Sequence, residues 1–246
     1  MPKYVVMALT HAGDKVEEWG DWCQEHVADM IRTPGFISAQ AFRRCSAYSY
    51  MHHEVIATLP PYDFMTFYEV DEAGKDFLTT TDRPVGSRPA SGATSFPTPL
   101  GGYTGNEYLW EAISPEFRAL RDRPVSRTRY ITVFTNIAGN PEEWPQWGAD
   151  HVADMIASPS FCGTQALIAR KDFSFAHKET LEVQPPYDLL TLYDLTDEGF
   201  EFMTTRSRPA GSPPEAGTRR FPSPLGQHVG DSFLWEAMTP QYRALR

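Results

Sequence analysis

The side chains best suited to chemistry stand in pairs. His26 and Asp29 lie three residues apart, and His151 and Asp154 repeat the spacing. On a helix that interval brings two side chains together on one surface. A histidine of ordinary pKa can take a proton from carbon or oxygen and return it elsewhere, provided that a carboxylate or a backbone carbonyl fixes its tautomer. The same spacing also suits a core histidine satisfied by a neighbour. Tyr62 and Tyr187, each followed by an aspartate, open matched aromatic segments from which a phenol could donate to a developing oxyanion. These six residues are the candidate catalytic set. Trp22 and Trp147, one helical turn before the histidines, are candidate substrate-binding walls. His52 and His177 could enter a pocket from a loop edge, and Arg83 and Arg208, each before a proline, could hold a carboxylate or phenolate. No dense cluster of metal-ligating residues accompanies them, so neither a metal nor another cofactor is expected.

All of these pairs share one offset of 125 residues. Glu25-His26-Val27-Ala28-Asp29-Met30-Ile31 recurs as Asp150-His151-Val152-Ala153-Asp154-Met155-Ile156, and Leu109-Trp110-Glu111-Ala112 recurs as Leu234-Trp235-Glu236-Ala237. The expected organisation is two units, 1–121 and 128–246, joined by a linker at 122–127, each of ordinary domain size. The halves are not chemically equal. Tyr48, Tyr50 and His53 stand where the second half has Phe173, Phe175 and Lys178, and Tyr103 matches His228.

The elements that must position these residues follow from periodicity. Residues 3–10 form an apolar, β-branched strand. From Val16 to Ile31, Trp19, Cys23, Val27 and Met30 recur at helical spacing with His26 inside the apolar stripe, and Thr33-Pro34-Gly35 stops the helix. Phe36–Arg44 alternates as a half-buried strand, Tyr62–Val70 is an aromatic-rich strand after Pro60-Pro61, Glu72–Thr80 is a short helix, and Glu107–Ile113 is a last strand. Strand, helix, strand, strand, helix, strand is the split βαβ, or ferredoxin-like, order. Two such units must cover two apolar sheet faces, so the fold expected is α+β, with two antiparallel sheets packed face to face. The Pro- and Gly-rich arms at 82–105 and 207–230 should lack regular structure. The segments around Glu116–Arg121 and Gln241–Arg246 should lie on the surface as short amphipathic tails.

Composition narrows the partners. A net charge of −10 over 246 residues lacks the clustered cations that nucleic acid requires. The three cysteines, Cys23, Cys45 and Cys162, show no disulfide or zinc spacing, and no stretch is long enough to span a membrane. A cytoplasmic protein with a small-molecule partner is expected, with no nucleic acid or membrane and with a homodimer as a further option.

Trp19-x-x-Trp22-x-x-Glu25-His26, then Thr33-Pro34-Gly35-Phe36 and the Pro-Pro-Tyr strand, resembles the EthD-like branch of the dimeric α+β barrel superfamily over most of each half. The resemblance implies a barrel made of two ferredoxin-like units, here within one chain, with a pocket between sheet and helices into which His26 and His151 point. It also implies a choice of activities. The first is a cofactor-independent lyase, isomerase or cyclase acting by histidine acid-base catalysis on a small apolar, aromatic, carbonyl- or hydroxyl-bearing molecule. The second is an oxygen-using monooxygenase, cofactor-free or haem-dependent. The third is a non-catalytic small-molecule binding or stress protein. The long Pro and Gly arms depart from the family pattern.

Overall fold

The computed structural model describes residues 4–48, 53–54, 62–79, 104–120, 123–136, 142–170, 179–180, 187–204 and 228–244. The first half contains β1 (Tyr4–Thr10), α1 (Val16–Met30), β2 (Phe36–Arg44), β3 (His53–Glu54), β4 (Phe64–Val70), α2 (Glu72–Thr79), β5 (Thr104–Ala112) and β6 (Phe117–Arg118). The second contains β7 (Arg129–Thr135), α3 (Trp144–Met155), β8 (Phe161–Ala169), β9 (Glu179–Thr180), β10 (Leu189–Leu195), α4 (Asp197–Thr204), β11 (His228–Ala237) and β12 (Tyr242–Arg243).

Eight long antiparallel strands run β2-β4-β1-β5-β8-β10-β7-β11, and β11 pairs back onto β2, so the sheet closes on itself. The halves meet edge to edge at Trp110↔Ala169 and Trp235↔Arg44. The barrel that the resemblance implied is thus present among the described residues; the two sheets expected to pack face to face are joined edge to edge into one eight-stranded barrel, whose closure removes the unpaired edges that stacked sheets would leave. The registers repeat at the offset seen in the sequence: Val5↔Glu69 matches Tyr130↔Asp194.

Alternation along the strands sorts the side chains into two environments. Val5, Met7, Leu9, Met65, Phe67, Tyr108 and Trp110 point inward, where they meet Phe134, Leu190, Leu192 and Trp235 of the other half. Tyr4, Val6, Phe64, Tyr68 and Leu109 point outward, under α1. On α1 the buried residues Trp19, Cys23 and Val27 recur every four residues, which fixes the face that meets the sheet. Gly35 ends the connection to β2 with φ 84°, a conformation a β-carbon resists, and the site where that carbon would stand lies 2.0 Å from the Gly74 backbone nitrogen at the start of α2. Ile131, Val133, Tyr193 and Leu234 form the outer layer of the second half with Val152 of α3.

The tails are not surface appendages. β6 pairs with β8 of the second half and β12 with β2 of the first, and Phe117 and Tyr242 pack into the outer layers they reach. β3 adds in parallel to β11, and β9 to β5, in the same exchanged sense. Residues 123–127 are held against the second half, where the Arg123 guanidinium donates to the carbonyls of Ser158 and Phe161, and the Ser126 N–H donates to Asp197 at 3.0 Å. Most of each long arm lies outside the described residues, but Thr104–Gly105 and His228–Gly230 belong to strands, so the arms end earlier than expected. Among the described residues no helix is long and apolar enough to cross a membrane.

Candidate active site

The helix histidines lie where the apolar stripe placed them, each at the outer layer of its half and each stacked on the tryptophan one turn earlier. The His26 and Trp22 rings are 4.4 Å apart at 13°, and the His151 and Trp147 rings 4.8 Å apart at 8°. Trp144 meets Trp147 edge-on at 5.0 Å, and Tyr193 of β10 meets His151 edge-on at 6.3 Å. Leu189 and Ile113 pack on the tryptophan pair, so the first half supplies part of the wall.

His151 is set apart by its polar accounting. Burial pulls its pKa down to about 4, and the nearby charge of Asp154 only partly opposes this. The ring is neutral at pH 7. Its Nδ1 is buried without a hydrogen-bond partner among the described residues, and so are the indole nitrogens of Trp144 and Trp147. These three nitrogens share one helix face and could meet ligand oxygens there; the Trp22 and Trp110 indole nitrogens of the first half are likewise buried without a hydrogen-bond partner among the described residues.

The two aspartates differ. Asp29 is 6% exposed and accepts from Arg32 Nη1 at 3.2 Å. The residue matching Arg32 is Ala157, and the charge of Asp154 favours the protonated form of His151.

Tyr62 and Tyr187 are not brought together with the helix histidines. Both belong to the barrel interior, on the other side of the sheet. There Asn106 Nδ2 donates to the Tyr62 hydroxyl at 2.6 Å, and the Tyr187 hydroxyl donates to Asp231 Oδ2 at 2.8 Å. Burial raises the Tyr62 phenol to about 12 and the Asp231 carboxyl to about 6, the latter only partly offset by the bond from Tyr187. The reason is local: each tyrosine stands two residues before its strand, outside the regular alternation, and packs in the interior cluster, whereas the strand aromatics that face the helices are Phe64, Tyr68 and Tyr193. His52, His177, Arg83 and Arg208 lie outside the described residues.

The residues missed from sequence are Tyr193, the Asn106/Asp231 pair, and the matched positions Glu107 and Ser232. The last two pairs are visible as mismatches between Gly105-Asn106-Glu107-Tyr108 and Gly230-Asp231-Ser232-Phe233. Glu107 is 6% exposed and lies beside Tyr68, which its charge disfavours ionising. Among the described residues no group of three or more His, Cys, Asp or Glu is placed to hold a metal ion. The cysteines are free, and burial holds the Cys23 thiol well above its ordinary value.

No family model matches the chain, and no curated protein matches it. Among solved structures it is similar to an anthrone oxidase-like protein, at 11% identity with a TM-score of 0.55 over 99% of this chain and 93% of that one. Two proposed monooxygenases, from Fusobacterium nucleatum and Lactobacillus acidophilus, superpose at TM-scores of 0.46 and 0.42 with 10% identity; they cover 98% and 96% of this chain and 97% and 92% of their own. The fold shared with the anthrone oxidase-like structure is, among the described residues, an eight-stranded antiparallel barrel with four helices.

Proposed function

We propose that the chain is an oxygen-using enzyme of the oxidase or monooxygenase type, acting on a small aromatic carbonyl- or hydroxyl-bearing molecule, with His151 as the proton acceptor. The reading places it in the EthD-like branch, as two ferredoxin-like units, 1–121 and 128–246, fused through 122–127. The observation that carries the chemistry is the buried, neutral His151 ring, stacked on Trp147 with Nδ1 unpartnered among the described residues.

An apolar site of this kind favours removal of an acidic C–H or O–H proton. The imidazolium and substrate anion form together, and their attraction at low dielectric offsets the burial cost that holds the free ring neutral. Asp154 steadies the imidazolium. The electron-rich anion then passes an electron to O2, and the radical pair closes a C–O bond. The imidazolium returns its proton to the peroxide anion so formed, and for an activated methylene the resulting hydroperoxide loses water to leave a carbonyl, so CH2 and O2 become C=O and H2O. The name of the anthrone oxidase-like neighbour supports this reading ahead of the lyase, isomerase or cyclase reading. That second reading draws on the same base, since a neutral imidazole that accepts a proton can return it without any oxidant.

An oxygen electrode separates the two. With anthrone as the probe, the wild type should consume one O2 per turnover and His151→Gln should lose roughly a hundredfold to ten-thousandfold in rate. A folded His151→Gln variant of unchanged rate would refute the assignment of the base. Product formation without oxygen uptake would favour the isomerase or lyase reading, and a Soret band in the purified protein would identify the haem-dependent form.

A further inference from the structure

One polar pair on the outer layer of the second half is drawn from both halves. Tyr48, which follows β2, places its hydroxyl 2.8 Å from that of Ser232 on β11. The crossing is anchored by the Cys45 N–H, which donates to the Leu234 carbonyl at 2.8 Å. Ser232 shares a strand face with Leu234, which packs with Val152 and Tyr193, and Tyr48 packs on the same cluster.

Register sets the distance to the strand beside the base. Thr191 of β10 pairs with Val133 of β7, and Val133 with Ser232 of β11. Two interstrand steps of about 4.8 Å put Ser232 roughly 10 Å across the sheet from β10, the strand whose Tyr193 meets His151. The floor between is apolar: Ile131, Val133 and Leu234. Either hydroxyl can be the donor in this bond, and the one that accepts keeps its own proton for a third group. The first half has no equivalent. Glu107 stands at the position of Ser232, and Phe173 at that of Tyr48. A buried carboxylate there opposes a ligand oxygen that carries negative charge.

Resting on the reading of His151 as the base, we infer that the second-half layer alone binds substrate, and that the Tyr48–Ser232 pair reads an oxygen at the substrate end remote from His151. The ligand class is a flat fused aromatic of at least three rings, since the span to His151 is no shorter than the roughly 10 Å from Ser232 to β10, with oxygen functions at both ends. Tyr48 and Ser232 are positioning residues; the site is complete only where the two halves meet.

The test uses the full chain and two probes, 2,6-dihydroxyanthraquinone with oxygens at both ends and 2-hydroxyanthraquinone with one outer hydroxyl. Binding is read by tryptophan quenching and by calorimetric stoichiometry. Tyr48→Phe and Ser232→Ala should each weaken the two-ended probe by roughly three- to tenfold, as expected for one lost hydrogen bond, and the one-ended probe by less than about twofold. One probe should bind per chain. Equal weakening of both probes, no weakening of either, or two equivalent sites per chain would overturn the inference. Thermal melts check folding. The first variant matches the native Phe173, and Ser232→Ala carries the test if Tyr48→Phe does not fold. Binding is read without turnover, so a protein that shows this pattern but takes up no oxygen contradicts the proposed reaction and leaves the recognition intact. Oxygen uptake without the pattern does the reverse.

Discussion

Asp231→Asn should make the protein more stable at pH 8 and leave it unchanged near pH 3. The carboxyl is 5% exposed inside the barrel, and burial lifts it from 3.8 to about 6. A carboxyl whose folded pKa is raised favours the fold while protonated in both states. That contribution declines as pH rises from about 3.8 through 6 and stays low above. The full shift corresponds to about 3 kcal/mol, at 1.36 kcal/mol per pKa unit. Solvent screening and the charge-assisted bond from Tyr187, which the amide replaces with a weaker one, reduce the expected gain to about 1–2 kcal/mol. The amide is sterically suited to the place, because the matched residue Asn106 bonds Tyr62 at 2.6 Å in the same interior. For a chain of this size the gain amounts to a rise of roughly 2–8 °C in Tm. Melts of wild type and variant at pH 3 and pH 8, followed by circular dichroism, measure it. A variant destabilised at pH 8, or shifted equally at both pH values, would refute the assignment of the burial cost to Asp231.

Three other outcomes follow from the same geometry. His151, whose pKa burial takes from 6.5 to about 4, withdraws stability as pH falls from 6.5 towards 4, because the unfolded ring gains a proton that the folded one refuses. Urea titrations at pH 4 and pH 7 should show His151→Gln gaining up to about 3 kcal/mol on wild type over that interval. Gly35→Ala should cost at least about 2 kcal/mol by the same assay, since the new carbon needs a left-handed backbone and meets the Gly74 nitrogen. Arg118 pairs with Asp194, whose carboxyl burial lifts to about 6 despite that guanidinium. Arg118→Met should therefore cost about 1–2 kcal/mol at pH 8 and less at pH 5, where the acid can protonate; an equal cost at both would show the loss to be packing alone.

The α1 stripe was legible because Trp19, Cys23 and Val27 must share a face once the segment is helical, and Pro34 must end it. β2 and the core of β4 were legible from alternation. The barrel itself came from the resemblance and not from periodicity, because the pairings that close it, at Trp110–Ala169 and Trp235–Arg44, are backbone hydrogen bonds that side-chain spacing does not encode. The separation of Tyr62 from His26 was hidden for a related reason. Tyr62 precedes the regular part of its strand, so period-two reasoning does not say which side of the sheet it takes. Glu107 against Ser232, and Asn106 against Asp231, were present as mismatches. They acquire meaning only when one pair is known to face the helices and the other the barrel interior.

The exchange of end strands bears on how the molecule responds to a cut. β6 is bonded to β8 and β12 to β2, while β5 and β11 are zipped to strands across the chain's midpoint. A protease that severs the backbone between Leu120 and Arg123 therefore releases neither piece. The two fragments stay clasped through six strand junctions among the described residues, counting β3 on β11 and β9 on β5, each piece covering hydrogen-bonding edges of the other. Separately expressed fragments with these ends should find each other on mixing, as two different subunits do.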